Sequence, residues 1–243
     1  MSGSEMLYAF VQKALFRRAT RTYHFLYRIY KALSDRNERA FAKQYIKPGM
    51  TVVDVGANIG IYTSFFANLV GKNGKVHAFE PDQVNCDMHA RFVKSDNVVL
   101  VHKAVAETNQ DLVLFASPSL NVDHRTYDPG DGRNETRIQA VALDNYFSPG
   151  TRIDFIKMDI QGYEYYALRG ANRVLTENHA IRLMFEYYPE GLDRSGGGAT
   201  LLFDYLQGMG FCLYRDSSRG LLKVKDINAL DDVVSYTNLY AMR

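Results

Sequence analysis

Three short stretches of this chain carry residue types that could do chemistry. The first is VVDVGANIG (52–60), where an apolar run reaches Asp54 and then turns through Gly56, Asn58 and Gly60. A turn of this composition lets a ligand approach the backbone closely and aims the unpaired N–H groups of a following helix at it. The second is KVHAFEP (75–81), in which an apolar run ends at Glu80 and Pro81, about twenty residues beyond Gly60. An acid so placed accepts hydrogen bonds from the hydroxyls of a ribose. The third is IDFIKMDIQGYE (153–164), which presents Asp159 at the end of another apolar run, with Glu164 a few residues on. The turn is shorter than the dinucleotide pattern G-x-G-x-x-G and lacks the third glycine that admits a pyrophosphate. Together these features describe a nucleoside ligand without phosphates.

Residues of this kind must be held at the carboxyl ends of parallel strands, and the surrounding pattern predicts such strands. Apolar segments TVVDV, KVHAFE, NVVLVHKAVA, RIDFIKMDI and IRLMFEYY alternate with helical stretches of about ten to fifteen residues, the signature of a parallel sheet covered on both faces. The segments at 111–117 and 137–147 read as an extra strand pair with a short helix. CLYRDS and TNLYAMR read as the last two strands, separated by an irregular stretch. Asp82 is placed to cap the helix after Glu80. Gly49 follows Pro48 in a turn, and RSGGGAT (194–200) is the single Gly-rich loop.

Ahead of this pattern lies a different texture. Leu7, Phe10, Val11, Ala14 and Leu15, then Leu26, Ile29, Tyr30 and Leu33, recur at helical spacing, and a second short helix is expected at about 37–46. Residues 1–36 contain seven Lys/Arg and two acids, a charge of +5, whereas the whole 243-residue chain is only +2. The remaining 207 residues therefore carry −3. The domain organisation read from this is a helical extension over 1–46 and one α/β domain over 47–243. The extension is expected to act as a lid, or to pair with a second subunit as a homodimer.

The totals exclude several classes. A composition 47% apolar and 23% charged is that of a globular domain. A net +2 predicts no strong attraction to nucleic acid. Only two cysteines occur, with no CxxC or Cys/His cluster, so no metal is expected and a reducing, cytoplasmic compartment is. No apolar run approaches the roughly 20 residues of a membrane span.

Beyond these patterns, residues 51–212 resemble the FkbM-type methyltransferases, class I enzymes that use S-adenosylmethionine. The resemblance rests on VVDVGANIGIYT (52–63), VHAFEP (76–81), VALDNYF (141–147) and above all IDFIKMDIQGYEYYALRGA (153–171). It implies a Rossmann-like, seven-stranded, mostly parallel sheet with an antiparallel last strand. It implies that Asp54, Gly56, Asn58 and Gly60 hold the amino acid part of S-adenosylmethionine, Glu80 and Pro81 its ribose, and Ala104 and Val105 its adenine, with Tyr62 and Thr63 at the near end of the pocket. It also implies methyl transfer to a hydroxyl of a sugar-like or natural-product small molecule. Where the family often has D-x-E-G-x-E, this chain has Gln161, which removes one carboxylate from any three-acid mechanism.

Methyl transfer to a hydroxyl requires alignment of acceptor, methyl and sulfur, and a base for the proton. Asp159 leads as that base, or as a polar contact to the cofactor. Glu186 at the end of the fifth strand and His124 in the loop NVDHRTYD are the other candidates, and Tyr163, Tyr187 and Tyr188 could wall a ring-shaped substrate. A carboxylate methyltransferase, a nicotinamide oxidoreductase and a non-catalytic cofactor-binding protein remain alternatives. The oxidoreductase lacks both the third glycine and a Tyr-x-x-x-Lys pair.

Overall fold

In the computed structural model, which describes residues 20–117, 123–218, 220–233 and 235–243, strand β1 (Thr51–Val55) lies at the middle of a sheet. Its β-branched residues are buried on both faces, as a central parallel strand requires. It pairs in parallel with β2 (Lys75–Phe79) on one side and β7 (Phe155–Met158) on the other. Strand β3 (Val98–Val101) extends the sheet beyond β2, and β8 (Arg182–Tyr187) extends it beyond β7. The last strand, β11 (Thr237–Met242), runs antiparallel between β8 and β9 (Cys212–Ser217). The expected Rossmann-like sheet with an antiparallel last strand is present.

Three local expectations change. The sheet has eight strands, because β10 (Gly220–Val224) forms an edge hairpin with β9. Its Leu221 and Leu222 are both exposed, so no alternation marked it as a strand. NVVLVHKAVA is not one strand: the Lys103 N–H turns back to the Val101 carbonyl. The chain then enters β4 (Ala104–Val105), which joins β5 (Gln110–Ala116) and β6 (Asn134–Val141) in a separate three-stranded sheet, the latter two being the predicted extra pair. The helix expected after Gly162 is two helices, α6 (Glu164–Arg169) and α7 (Asn172–Glu177). Asp144, in the short helix α5 (Leu143–Tyr146), divides them by accepting hydrogen bonds from the N–H groups of Arg173 and Val174. A capped fresh start replaces a continuous run.

Helix α1 (Thr20–Ser34) and helix α2 (Arg36–Tyr45) precede the sheet, and the helical stripe expected over 7–15 lies outside the described residues. Helix α2 is part of the core. Phe41 packs on Phe155 and Tyr240, in one cluster with Val52, Phe66 of α3 (Ile61–Val70) and Val76. The opposite sheet face is covered by α6, α7, α8 (Pro189–Arg194) and α9 (Ala199–Gly208), whose Leu168, Leu175, Leu192 and Leu206 are fully buried. Among the described residues no helix is long and apolar enough to cross a membrane.

The turn after β7 is locked against α8. Gly162 has φ +101°, and a Cβ there would lie 2.2 Å from the carbonyl carbon of Gly191. Gly162→Ala combines backbone strain with overpacking, and an unfolding free energy lower by about 2–4 kcal/mol is expected in urea titrations.

Candidate active site

The carboxyl ends of β1, β2 and β7 open into a cleft of about 900 Å³, its mouth included. The turn after β1 builds one wall. Gly56 has φ +73°, and a Cβ on it would fall 2.0 Å from the Asp159 carbonyl oxygen, so only glycine fits where the two turns touch. The N–H groups of Gly56 and Ala57 donate to the Phe79 carbonyl, fastening this turn to the end of β2. Asn58, with φ +50°, donates its N–H to Glu80 Oε2 at 2.8 Å.

Glu80 is buried and also accepts from the Asp82 N–H and the Asn85 side chain. Burial pushes its carboxyl up to about 7, against the pull of these bonds. A carboxylate that already holds the Asn58 N–H from below leaves this turn poorly suited to a pyrophosphate and well suited to hydroxyls. Asp82 caps α4 (Gln83–Phe92) through the Asn85 N–H, as its position in the sequence predicts.

Beneath the turn lies a buried ion cluster. Lys157 Nζ donates to the Gly56 carbonyl at 2.9 Å and stands 3.3 Å from Asp54 Oδ1 and 3.9 Å from Asp159 Oδ2. The Asp54 contact lacks hydrogen-bond geometry, so that oxygen is held by charge alone. The other oxygen of Asp54 accepts from the Thr63 hydroxyl at 2.6 Å.

On the far side of Asp159 a second, polar cavity of about 910 Å³, its mouth included, opens between the sheet and helices α1 and α2. Carboxylates of Asp35, Glu38, Asp159, Glu186 and Asp216 line it, with Lys31 and Lys157 as the cations. Lys31, Tyr62, Lys157 and Asp159 belong to the walls of both cavities. The Gln161 amide, held at φ +57°, donates to Asp159 Oδ1 at 3.1 Å and to Glu186 Oε2 at 2.8 Å. Burial, reinforced by the charges of Asp159 and Glu164, pushes the Glu186 carboxyl well above the usual range. Burial works against the charge of Lys31, but the Asp35 and Asp159 carboxylates outweigh it and hold its pKa up.

This cleft at a sheet's carboxyl end has the form of a nucleoside-binding methyltransferase site, and the family models agree: residues 54–213 match the methyltransferase FkbM domain. The chain belongs to the FkbM methyltransferase family. It is a methyltransferase, and S-adenosylmethionine is its cofactor. A curated relative, the ribosomal RNA large subunit methyltransferase E of Nitrosomonas eutropha, is 30% identical over 128 residues, covering 50% of this chain. The chain spans 61% of the length of that relative. Two solved structures share the fold at 16% identity. An rRNA methylase from Streptococcus thermophilus has a TM-score of 0.50, covering 85% of this chain and 93% of that one. A Clostridium thermocellum protein, provisionally described as an rRNA-methylase, has a TM-score of 0.52, covering 84% and 92%.

These relatives overturn one expectation. A small-molecule acceptor was expected from the family resemblance and no nucleic acid partner from the small net charge, whereas the relatives are named for ribosomal RNA. The physical reason is that a whole-chain charge of +2 reports average long-range attraction and not which acceptor a cleft admits.

The residues of this FkbM methyltransferase fit S-adenosylmethionine. Ala104, Val105, Leu114 and Tyr163 give the cleft an apolar stretch of wall. Thr126 Oγ1 is buried in the same wall with no partner among the described residues, so a ligand atom would satisfy it. Of the expected cofactor residues, Gly56, Asn58, Tyr62, Glu80, Pro81, Ala104, Val105 and Asp159 line the cleft. Asp54, Gly60 and Thr63 stand behind its wall: Asp54 and Thr63 are fully buried and bonded to each other.

Among the catalytic candidates, Asp159 and Glu186 are brought together through Gln161. His124 lies in the wall of the cleft, with Nδ1 accepting from the Ser117 N–H, and burial lowers its pKa. Glu164 is buried, and its Oε1 accepts from the Ile160 N–H, closing the turn that carries Gln161. Sequence reading missed Lys157, Tyr27, Lys31, Leu114 and Thr126. Lys157 alone had a signal, as the cation two residues before Asp159 in a buried strand.

Burial also raises the Glu164 carboxyl to about 7 from 4.5. Between these values the folded protein retains a proton that the unfolded chain has lost, so Glu164 makes stability fall as pH rises from about 4.5 to about 7. Glu164→Gln is expected to remove up to one proton from that dependence, about 1.4 kcal/mol per pH unit, in urea unfolding measured across this range. An unchanged slope would show that Glu164 is ionised throughout.

Proposed function

We propose that this FkbM methyltransferase transfers the methyl group to a hydroxyl oxygen of a sugar, and that the sugar is carried on ribosomal RNA. The observation that carries the hydroxyl assignment is the second cavity. Its walls present carboxylates, which accept hydrogen bonds, directly beside Asp159. A hydroxyl acceptor supplies the matching donors, whereas a carboxylate acceptor would meet like charge. The ribosomal RNA assignment is supported by the name of the curated relative, and a ribose hydroxyl satisfies both lines of support.

In this reading Gly56 and Asn58 cradle the amino acid part of the cofactor, while Asp54, Gly60 and Thr63 hold that turn from behind. Glu80 and Pro81 face the ribose, and Ala104, Val105, Thr126 and His124 enclose the adenine. The cofactor supplies an electrophilic methyl on a sulfonium. When bound, it would give that methyl to the acceptor oxygen and keep the bonding electron pair on sulfur, and Asp159 takes the proton that the acceptor hydroxyl loses. Glu186, whose carboxyl burial pushes well above the usual range, and Gln161 orient Asp159. We place the enzyme in the cytoplasm, in keeping with the free thiols of Cys86 and Cys212.

The test is incubation with total ribosomal RNA and S-adenosylmethionine labelled in the methyl group, followed by digestion to nucleosides. Label on ribose is expected; label on base atoms, or none, would overturn the proposal. Asp159→Asn is expected to keep calorimetric binding of S-adenosylhomocysteine and to lose about 10²–10⁴-fold in kcat. Gly56→Ala is expected to lose that binding, because its Cβ displaces the Asp159 backbone.

A further inference from the structure

Among the described residues, helix α1 touches the rest of the chain along one side only. Thr20 accepts a hydrogen bond from Arg91, His24 stacks on Phe92, Tyr23 is buried, and Tyr27 and Lys31 reach the cleft. These positions recur every three to four residues, so the opposite arc of the helix faces away from the protein. That arc consists of Phe25, Leu26, Ile29 and Leu33, with Tyr30 beside them, at 54, 50, 43, 57 and 53% exposure. Singly exposed apolar side chains need no explanation, but a contiguous face does. Arg21 and Arg28 lie along one edge of the arc, and the segment of residues 1–36 carries +5.

We propose that α1 lays this face on an anionic lipid surface. The aliphatic and aromatic residues enter the headgroup boundary, while Arg21 and Arg28 meet lipid phosphates along its edge. Charge decides against the other occupants. A second copy of the chain would set Arg21 and Arg28 of the two copies close together. A nucleic acid strand would satisfy the arginines but would leave Leu26, Ile29 and Leu33 against a polyanion. Tyr30 borders both this face and the polar cavity, so docking would hold the mouth of that cavity near the headgroups. This inference goes beyond the acceptor assignment and does not rest on it.

The test is flotation of the full chain with vesicles of phosphatidylcholine alone and of phosphatidylcholine with phosphatidylglycerol. Binding to the anionic vesicles only, weakened at high salt, is expected. Ile29→Asp with Leu33→Asp is expected to weaken partition by about a hundredfold, and Arg21→Glu with Arg28→Glu by about tenfold or more. All variants should bind S-adenosylhomocysteine as the parent does, which shows that they are folded. Absence of flotation, or flotation indifferent to the Ile29 and Leu33 changes, would overturn the proposal. So would a dimer in sedimentation that those changes convert to monomers, because the face would then join two copies of the chain.

Discussion

A buried ammonium group ties together the two turns from which the site is made. Lys157 rises from the middle of β7 and donates to the backbone of the turn after β1, between the carboxylates of Asp54 and Asp159. Burying a cation is costly unless charge and hydrogen bonds compensate for it, and here two carboxylates and a carbonyl do. Removing any one of the partners leaves the others uncompensated in the interior. The turn after β1 and the Asp159 carboxylate are therefore positioned as one unit, and Gly56 permits the close approach that this unit requires.

From that cluster the rest of the site follows outward. Asp159 is held by the Lys157 charge on one side and by Gln161 on the other, and Gln161 also reaches Glu186 on the neighbouring strand. The neutral amide has a clear physical role. A third carboxylate at that position would add an acceptor and a charge beside Asp159, whereas the amide supplies a donor to each of the two acids. Glu164 closes the same turn from below by accepting from Ile160. The family resemblance marked Gln161 as a departure; its contacts make it the link between two sheet strands.

Much of the fold was legible because parallel strands buried on both faces have a strong signature. TVVDV, KVHAF and FIKM are mostly apolar and mostly buried, and the helices between them carry their own start and stop residues, such as Asp82 and Gly71. Edges and breaks were not legible. GLLKV exposes both leucines, so nothing local marks it as a strand, and the end of β3 depends on a turn at Lys103. The division between α6 and α7 depends on Asp144, some thirty residues earlier in the chain.

The sequence by itself determined the cofactor turn, the acid at the end of β2 and the acid at the end of β7, because each lies within a few residues of the strand that presents it. Spacing along a chain is enough when geometry is local. Only the tertiary structure decided that Asp54 and Thr63 support the wall instead of lining it, and that His124 belongs to the wall of the cleft. It alone decided that helices α1 and α2 close the polar cavity. The polar cavity depends on elements more than a hundred residues apart meeting at the carboxyl end of the sheet, and the other placements on which of two faces a side chain takes when both are buried. Neither is written in local periodicity.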